Sequence, residues 1–290
     1  MKALFSHSLI LTEERIMTPV HPKALHVVYF SPTGGTRRVA RRLLAAARTA
    51  LPGFALFEHD LTLPEDRSGV QRFGPDAVVL FAVPVYFGRM PAILRGFRGL
   101  AAEGAVGVPV AVYGNRHYDD ALRELGSLMT EEGFTVAAGA AFIARHSQWP
   151  SLGAGRPDDA DEALMGKFLV DLAKKLKAAA DAGDEAMLAV KLPGKGEMHP
   201  YGVIPTPPRV LDPKDCCRCG SCAEKCPAGI IDPMDFTVTE PEECLGCRAC
   251  ITACPNGARN YPEPFASGIA ARMAQIAAAN TEPKKPEVFL

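Results

Sequence analysis

Short apolar runs alternate along the chain with longer stretches whose apolar residues recur every three to four positions. Residues 25–30 (LHVVYF) form a continuous apolar run, the mark of a strand buried on both faces. A helix is expected over 37–50. Val39, Ala40, Leu43, Leu44 and Ala47 fall on one face, and Arg37, Arg38, Arg41, Arg42 and Arg48 mostly on the other. Further strands are expected at 54–60, at 77–83 (ending at Pro84), at 109–113 and at 136–144. Helical segments are expected near 90–102 and 119–132, and a charged amphipathic helix over 159–181. Strands alternating with helices imply a parallel sheet with helices on both faces.

The pattern lapses in three places. Residues 1–24 show no clean periodicity and read as a flexible extension, or as a start set too early, with Met17 as the alternative. Residues 183–208 read as a connector, since LPGKGEMHPYGVIPTPPR carries five prolines and three glycines and favours extended, semi-rigid backbone. Residues 266–280 read as a short alanine-rich helix, followed by an exposed tail in which Phe289 and Leu290 are candidates for docking.

Composition narrows the function classes. A chain of 290 residues with 48% hydrophobic content has room for two domains and a sizeable core. A formal net charge of −1 argues against nucleic acid as the main partner. No apolar run reaches the length of a membrane span, and the N-terminus does not show the ordered regions of a signal peptide. Between Arg209 and Pro264, nine acidic residues face six basic ones, so this end is expected to be anionic.

Eight of the nine cysteines fall into two copies of C-x2-C-x2-C-x3-C-P. The first is Cys216, Cys219, Cys222, Cys226 and Pro227; the second is Cys244, Cys247, Cys250, Cys254 and Pro255. Thiolates two residues apart in a tight loop reach three irons of one cluster, and Gly220 and Gly246 sit where the chain must bend between ligands. C-x2-C pairs also bind zinc, but a duplicated four-cysteine run closed by proline is unusual for it. Nothing resembles a secreted disulfide framework, so a reducing cytoplasm is the expected compartment. Cys217 is read as a packed spectator beside Cys216.

Over about fifty residues this region resembles the bacterial two-cluster ferredoxins, in which the fourth cysteine of each run ligates the other cluster. The resemblance implies two [4Fe–4S] clusters, one on Cys216, Cys219, Cys222 and Cys254, the other on Cys244, Cys247, Cys250 and Cys226.

The strand–Ser31-Pro32-Thr33-Gly34-Gly35-Thr36–helix stretch resembles the phosphate loop of flavodoxins. A helix N-terminus favours an anion, and Ser31, Thr33 and Thr36 add hydroxyl donors. No lysine follows the glycines, so a nucleoside-triphosphate loop is not indicated. Neutral donors suit a monophosphate such as that of FMN. Two more loops follow strands: Pro84, Val85, Tyr86, Phe87, Gly88, and Gly114, Asn115, Arg116, His117, Tyr118. Both lie at carboxyl ends of strands, where open α/β sheets bind ligands. The resemblance implies that they cradle the isoalloxazine. Tyr86, Phe87 and Tyr118 offer flat stacking surfaces, Gly88 a backbone group toward N5, and Asn115 a contact to the polar ring edge. Asp119 and Asp120 read as caps of the following helix. His146, ending the fifth strand, is a candidate proton donor.

Taken together, the chain resembles the flavodoxin–ferredoxin fusion family over about 25–264. That implies a doubly wound α/β fold with five parallel strands in order 2-1-3-4-5, joined to a small α+β ferredoxin. The expected organisation is an extension (1–24), an FMN-binding domain (25–182), a linker (183–208), the two-cluster domain (209–264) and a helix with tail (265–290). FMN and two [4Fe–4S] clusters imply electron transfer that couples one- and two-electron carriers. Two alternatives stay open: a flavin-dependent reductase of an unidentified small substrate, and a non-enzymatic redox sensor or accessory subunit. Redox partner proteins are expected, and a homodimer is open. No nicotinamide fingerprint opens a helix after a strand.

Overall fold

The computed structural model describes residues 22–195 and 200–290. The extension expected at 1–24, with its alternative start at Met17, lies outside the described residues as far as 21.

In chain order the elements are β1 (Ala24–Tyr29), α1 (Gly35–Ala50), β2 (Ala55–Asp60), β3 (Gln71–Phe73), β4 (Ala77–Pro84), β5 (Leu100–Ala102), β6 (Val106–Tyr113), α2 (Ala121–Glu131), β7 (Thr135–Val136), β8 (Gly139–Ile143) and α3 (Asp159–Ala182). The cysteine-rich part adds β9 (Arg209–Val210), α4 (Ser221–Glu224), α5 (Ala249–Ala253) and β10 (Arg259–Asn260). It is followed by α6 (Phe265–Ala278) and β11 (Glu287–Phe289).

The main sheet runs β11-β8-β6-β4-β1-β2, with every pair parallel except the last-joined β11. Without β11 this is the expected order 2-1-3-4-5. Alternation along the strands sorts side chains into two cores. Leu25, Val27, Tyr29, Val78, Leu80 and Ala82 face α1 and α3. Val28, Phe30, Val79, Phe81 and Val83 face the opposite layer with Leu125 and Met129 of α2. Each fully buried Leu, Val or Phe side chain contributes roughly 1.5–3 kcal/mol, so both faces of the sheet are anchored. With both faces buried, β4 and β6 read as unbroken apolar runs.

Two elements depart from expectation. Residues 90–102 are not a helix but a single 3-10 turn (Ala92–Leu94) followed by β5, which pairs in parallel with β3. Pro91 and the left-handed Gly96 (φ 66°) interrupt any helical run, and a Cβ at Gly99 would stand 2.1 Å from the ring of Phe97. The C-terminal residues are not a free tail. β11 pairs antiparallel with β8, Phe289 opposite Gly139, and covers an edge that would otherwise present unpaired N–H and C=O groups.

Residues expected to form a connector are packed. Tyr201 stacks under the guanidinium of Arg89 (4.1 Å) and donates its hydroxyl to Glu124. A Cβ at Gly202 would meet the Phe87 ring at 2.2 Å. The connector thereby lies against the loop that follows β4.

Candidate functional site

The loop between β1 and α1 is built to leave donors free. Ser31 is buried; its N–H bonds Thr62 Oγ1 (2.9 Å), and its hydroxyl accepts from Arg37 N (2.8 Å). Gly34 takes a left-handed conformation (φ 82°) at the helix N-cap. The N–H groups of Gly35 and Thr36 open α1 in its first turn, where no intrahelical acceptor exists. A Cβ at Gly35 would touch Ala144, so this corner packs closely on the end of β8.

The loop after β4 is a tight reversal. Tyr86 and Arg89 exchange two backbone hydrogen bonds (2.9 and 3.0 Å), with Phe87 (φ 53°) and Gly88 (φ 79°) at the tip. Two successive positive φ values make a primed turn. Gly88 is required twice over, because a Cβ there would also stand 2.8 Å from Asp119 Oδ2. Beneath the loop, Arg89 and Glu124 form a buried ion pair (Nε–Oε2 2.8 Å), and Glu124 also accepts from Met90 N.

The loop after β6 behaves differently from the sequence reading. Asn115 is buried and its amide is fully engaged elsewhere. It donates to the carbonyls of Asn280 (2.9 Å) and Glu282 (3.0 Å), and accepts from Lys284 N (2.8 Å). Tyr118 is buried against Tyr113 and donates to Glu287 (3.0 Å). Both side chains hold the C-terminal segment instead of facing a ligand. His117 takes the outward place, stacked on Tyr118 at 4.7 Å. Asp120, at the N-cap of α2, makes no side-chain cap bond and accepts instead from Lys195 N.

His146 lines the same region. Its Nδ1 accepts from Gln148 N (3.0 Å) and Trp149 N (3.2 Å), which leaves the proton on Nε2. Burial, aided by Arg248, lowers its pKa to about 4. The imidazole is therefore neutral near pH 7, a hydrogen-bond donor through Nε2 and not a ready proton source. Gly114 makes room for it, since a Cβ there would overlap the ring at 2.4 Å.

These loops surround one cleft of about 350 Å³ at the carboxyl ends of the strands. It brings together Ser31, Thr33, Gly35, Thr36, Pro84, Val85, Tyr86, Phe87, Gly88, Gly114, Arg116 and His146; Gly34, Asn115 and Tyr118 do not line it. Residues missed by sequence reasoning complete it: Arg145 and Gln148 from the end of β8, Ile269, Arg272, Met273 and Ile276 from α6, and Ile204, Leu245 and Gly246. The spacing of Ile269, Met273 and Ile276 puts one apolar stripe on α6, the signal that would have flagged this helix as a cover.

In the cysteine-rich part, two cavities receive the thiols. One is lined by Cys226, Cys244, Cys247 and Cys250; the other by Cys216, Cys219, Cys222 and Cys254. Each set takes its fourth cysteine from the other run. Among the described residues, no three His, Cys, Asp or Glu side chains converge on a single-ion site. Four thiols around each cavity suit the donor set of a cubane. Burial pushes the Cys250 thiol up to about 11, against the pull of Arg259, and holds Cys247 higher still. Cys219 is exposed, and its pKa is lowered by the Ser221 hydroxyl. Cys217 is exposed too, not packed, though it lines the second cavity.

The two parts meet through a thin wall. Leu245 and Gly246 line both the cleft and the Cys226/Cys244/Cys247/Cys250 cavity. Leu245 packs on the same apolar cluster as Tyr86. Gly246 O accepts from Gln148 Nε2 (2.9 Å), and Arg248 Nη1 donates to Gln148 O (3.2 Å). On the far side, Arg67 Nη2 donates to Pro227 O (2.5 Å).

The family model of the 4Fe-4S dicluster domain matches residues 209–255. Solved structures similar to the chain include an archaeal flavodoxin (16% identity, 53% of this chain and 99% of that one, TM-score 0.35). Flavodoxin 2 from Bacillus cereus is similar at 14% identity over 52% of this chain and 99% of that one, TM-score 0.37. The two-electron reduced flavodoxin of Megasphaera elsdenii is similar at 20% identity over 52% and 98%, TM-score 0.33. No curated protein matches the chain. Among the described residues, no helix is long and apolar enough to cross a membrane. The sheet order itself is that of a flavodoxin, and the chain thus joins an α/β unit of flavodoxin order to a 4Fe-4S dicluster domain.

Proposed function

We propose that this chain is a cytoplasmic electron-transfer protein that holds FMN in the cleft and two [4Fe–4S] clusters in the cysteine cavities. When bound, these groups exchange single electrons for pairs. The observation that carries this reading is the shared wall, because Leu245 and Gly246 belong to both the cleft and one cysteine cavity.

The residues divide the work. The N–H groups of Gly35 and Thr36, with the Thr33 and Thr36 hydroxyls, suit a phosphate at the N-terminus of α1. Tyr86 and Phe87 offer ring surfaces and Gly88 a backbone group at the tip of its turn. His146 presents Nε2–H as a fixed donor. Cys226, Cys244, Cys247 and Cys250 hold the cluster beside the cleft; Cys216, Cys219, Cys222 and Cys254 hold the outer one, whose exposed rim at Cys219 suits a redox partner protein.

Anaerobic reconstitution of the full chain tests this. About eight irons and one FMN per chain are expected; a chain that takes up iron but no flavin contradicts the cleft assignment.

A second reading rests on α6. Its apolar stripe and Arg272 line the cleft beyond the flavin loops, as a site for a small molecule over the ring would require. Turnover of a small acceptor that is lost on substituting Met273, with flavin content unchanged, distinguishes this reading.

A further inference from the structure

Arg259 lies on β10 opposite Val210 and is 1% exposed. It lines both cysteine cavities. Its Nη1 donates to Phe236 O (2.8 Å) and faces Cys222 Sγ at 3.9 Å. Nε and Nη2 are buried without a hydrogen-bond partner. Among the described residues, no carboxylate forms an ion pair with it. A guanidinium does not deprotonate in a protein, and an unpaired buried charge is expensive. The fold therefore keeps a permanent cation, with three N–H donors on two nitrogens unspent, between two rings of four thiols. Arg248 differs in reach: it lines one cavity only and donates Nη1 to Gln148 O across the shared wall, although its Nε too is buried without a partner.

We infer that Arg259 is the common counter-cation of the two cluster sites, one guanidinium serving a ligand sulfur on either side and holding both reduction potentials up. The inference rests on the two-cluster reading above. Cluster potentials respond to net charge and to hydrogen bonds at sulfur. A cation placed between the sites favours the reduced, more negative form of each. Arg259 lines both cavities whereas Arg248 lines one, so the effect of Arg259 is shared and does not belong to one cluster.

The test is an EPR-monitored redox titration of the anaerobically reconstituted full chain, wild type against Arg259→Gln, with iron counted in each. Both midpoints are expected to fall by at least tenfold in the reduction equilibrium, about 59 mV for one electron. Full iron with only one midpoint lowered, or neither, overturns the inference. Should the Gln chain lose iron, Arg259→Lys decides, since it keeps the charge and gives up the fork. Both of its midpoints are expected within threefold of wild type, about 28 mV; a larger fall in either overturns the inference. A wild-type chain that binds no iron instead fails the two-cluster reading itself, and the iron count separates the two failures.

Discussion

Cys219 and Cys247 hold the same place in two copies of one cysteine run, yet Cys247 is buried beside the flavin-side loops and Cys219 is open to solvent. The backbone is the same in both. The second residue after the first cysteine is left-handed (Arg218 φ 56°, Gly246 φ 63°), and so is the fourth (Gly220 φ 79°, Arg248 φ 66°). Glycine changes places between the copies, and packing explains why for one of them. A Cβ at Gly246 would stand 2.7 Å from Ile204 of the connector, whereas at Gly220 the nearest atom is the flexible end of Glu224 at 3.8 Å. Spacing groups the first three thiols of each run; the surroundings determine which cavity adjoins the cleft.

The comparison breaks most sharply at the ligands. Cys247→Ser is expected to remove the inner cluster, lowering iron by about half, and to abolish flavin reduction from the cluster side. Cys219→Ser should cost similar iron but leave an inner cluster still able to exchange with the flavin. Iron analysis with anaerobic visible spectroscopy checks both. If Cys247→Ser reduces its flavin as fast as wild type, the inner position is wrongly assigned.

The docking of the connector is the next largest expected effect. Glu124→Ala strips the carboxylate from buried Arg89 and the acceptor from Tyr201, and should destabilise the chain by about 3–5 kcal/mol in denaturant unfolding. A loss near zero contradicts a structural role for the pair.

Gly246→Val should cost about 1–3 kcal/mol through the clash with Ile204 and the left-handed backbone. Gly220→Ala meets only the backbone term, about 1 kcal/mol. Equal losses in the two variants would remove the argument that the connector selects Gly246.

The last effect, absent at neutral pH, is a pH dependence. The folded pKa of His146 is lowered to about 4 from an ordinary 6.5. Between these values the unfolded chain binds the proton and the folded chain does not, so stability falls as pH drops from about 6.5 to about 4. The full loss is at most about 3 kcal/mol, and above pH 7 the contribution is flat. His146→Gln should flatten that window in unfolding experiments; an unchanged profile excludes His146 as its source.

Much of this was readable from local pattern. Strands β1 and β4 are buried on both faces, so their residues had to be continuously apolar. The cysteine spacing carried three thiols of each cavity because those are local; the fourth, from the other run, came from the ferredoxin resemblance. What escaped was set by distant partners. The amide of Asn115 is claimed by backbone 165 to 169 residues away. The Glu-Val-Phe of β11 becomes a strand because β8 offers an open edge. Residues 90–102 have helical composition, but Pro91, Gly96 and Gly99 decide their backbone. The connector looked like a spacer because proline and glycine content says nothing of the groove that receives Tyr201 and Ile204.

The most direct measurement follows flavin absorbance after rapid reduction of the clusters in anaerobically reconstituted protein, at several protein concentrations. The account expects the flavin to bleach in a phase whose rate is independent of concentration and which disappears in Cys247→Ser. A rate that rises in proportion to concentration, or one that survives in Cys247→Ser, would show that electrons do not cross the Leu245–Gly246 wall within one chain.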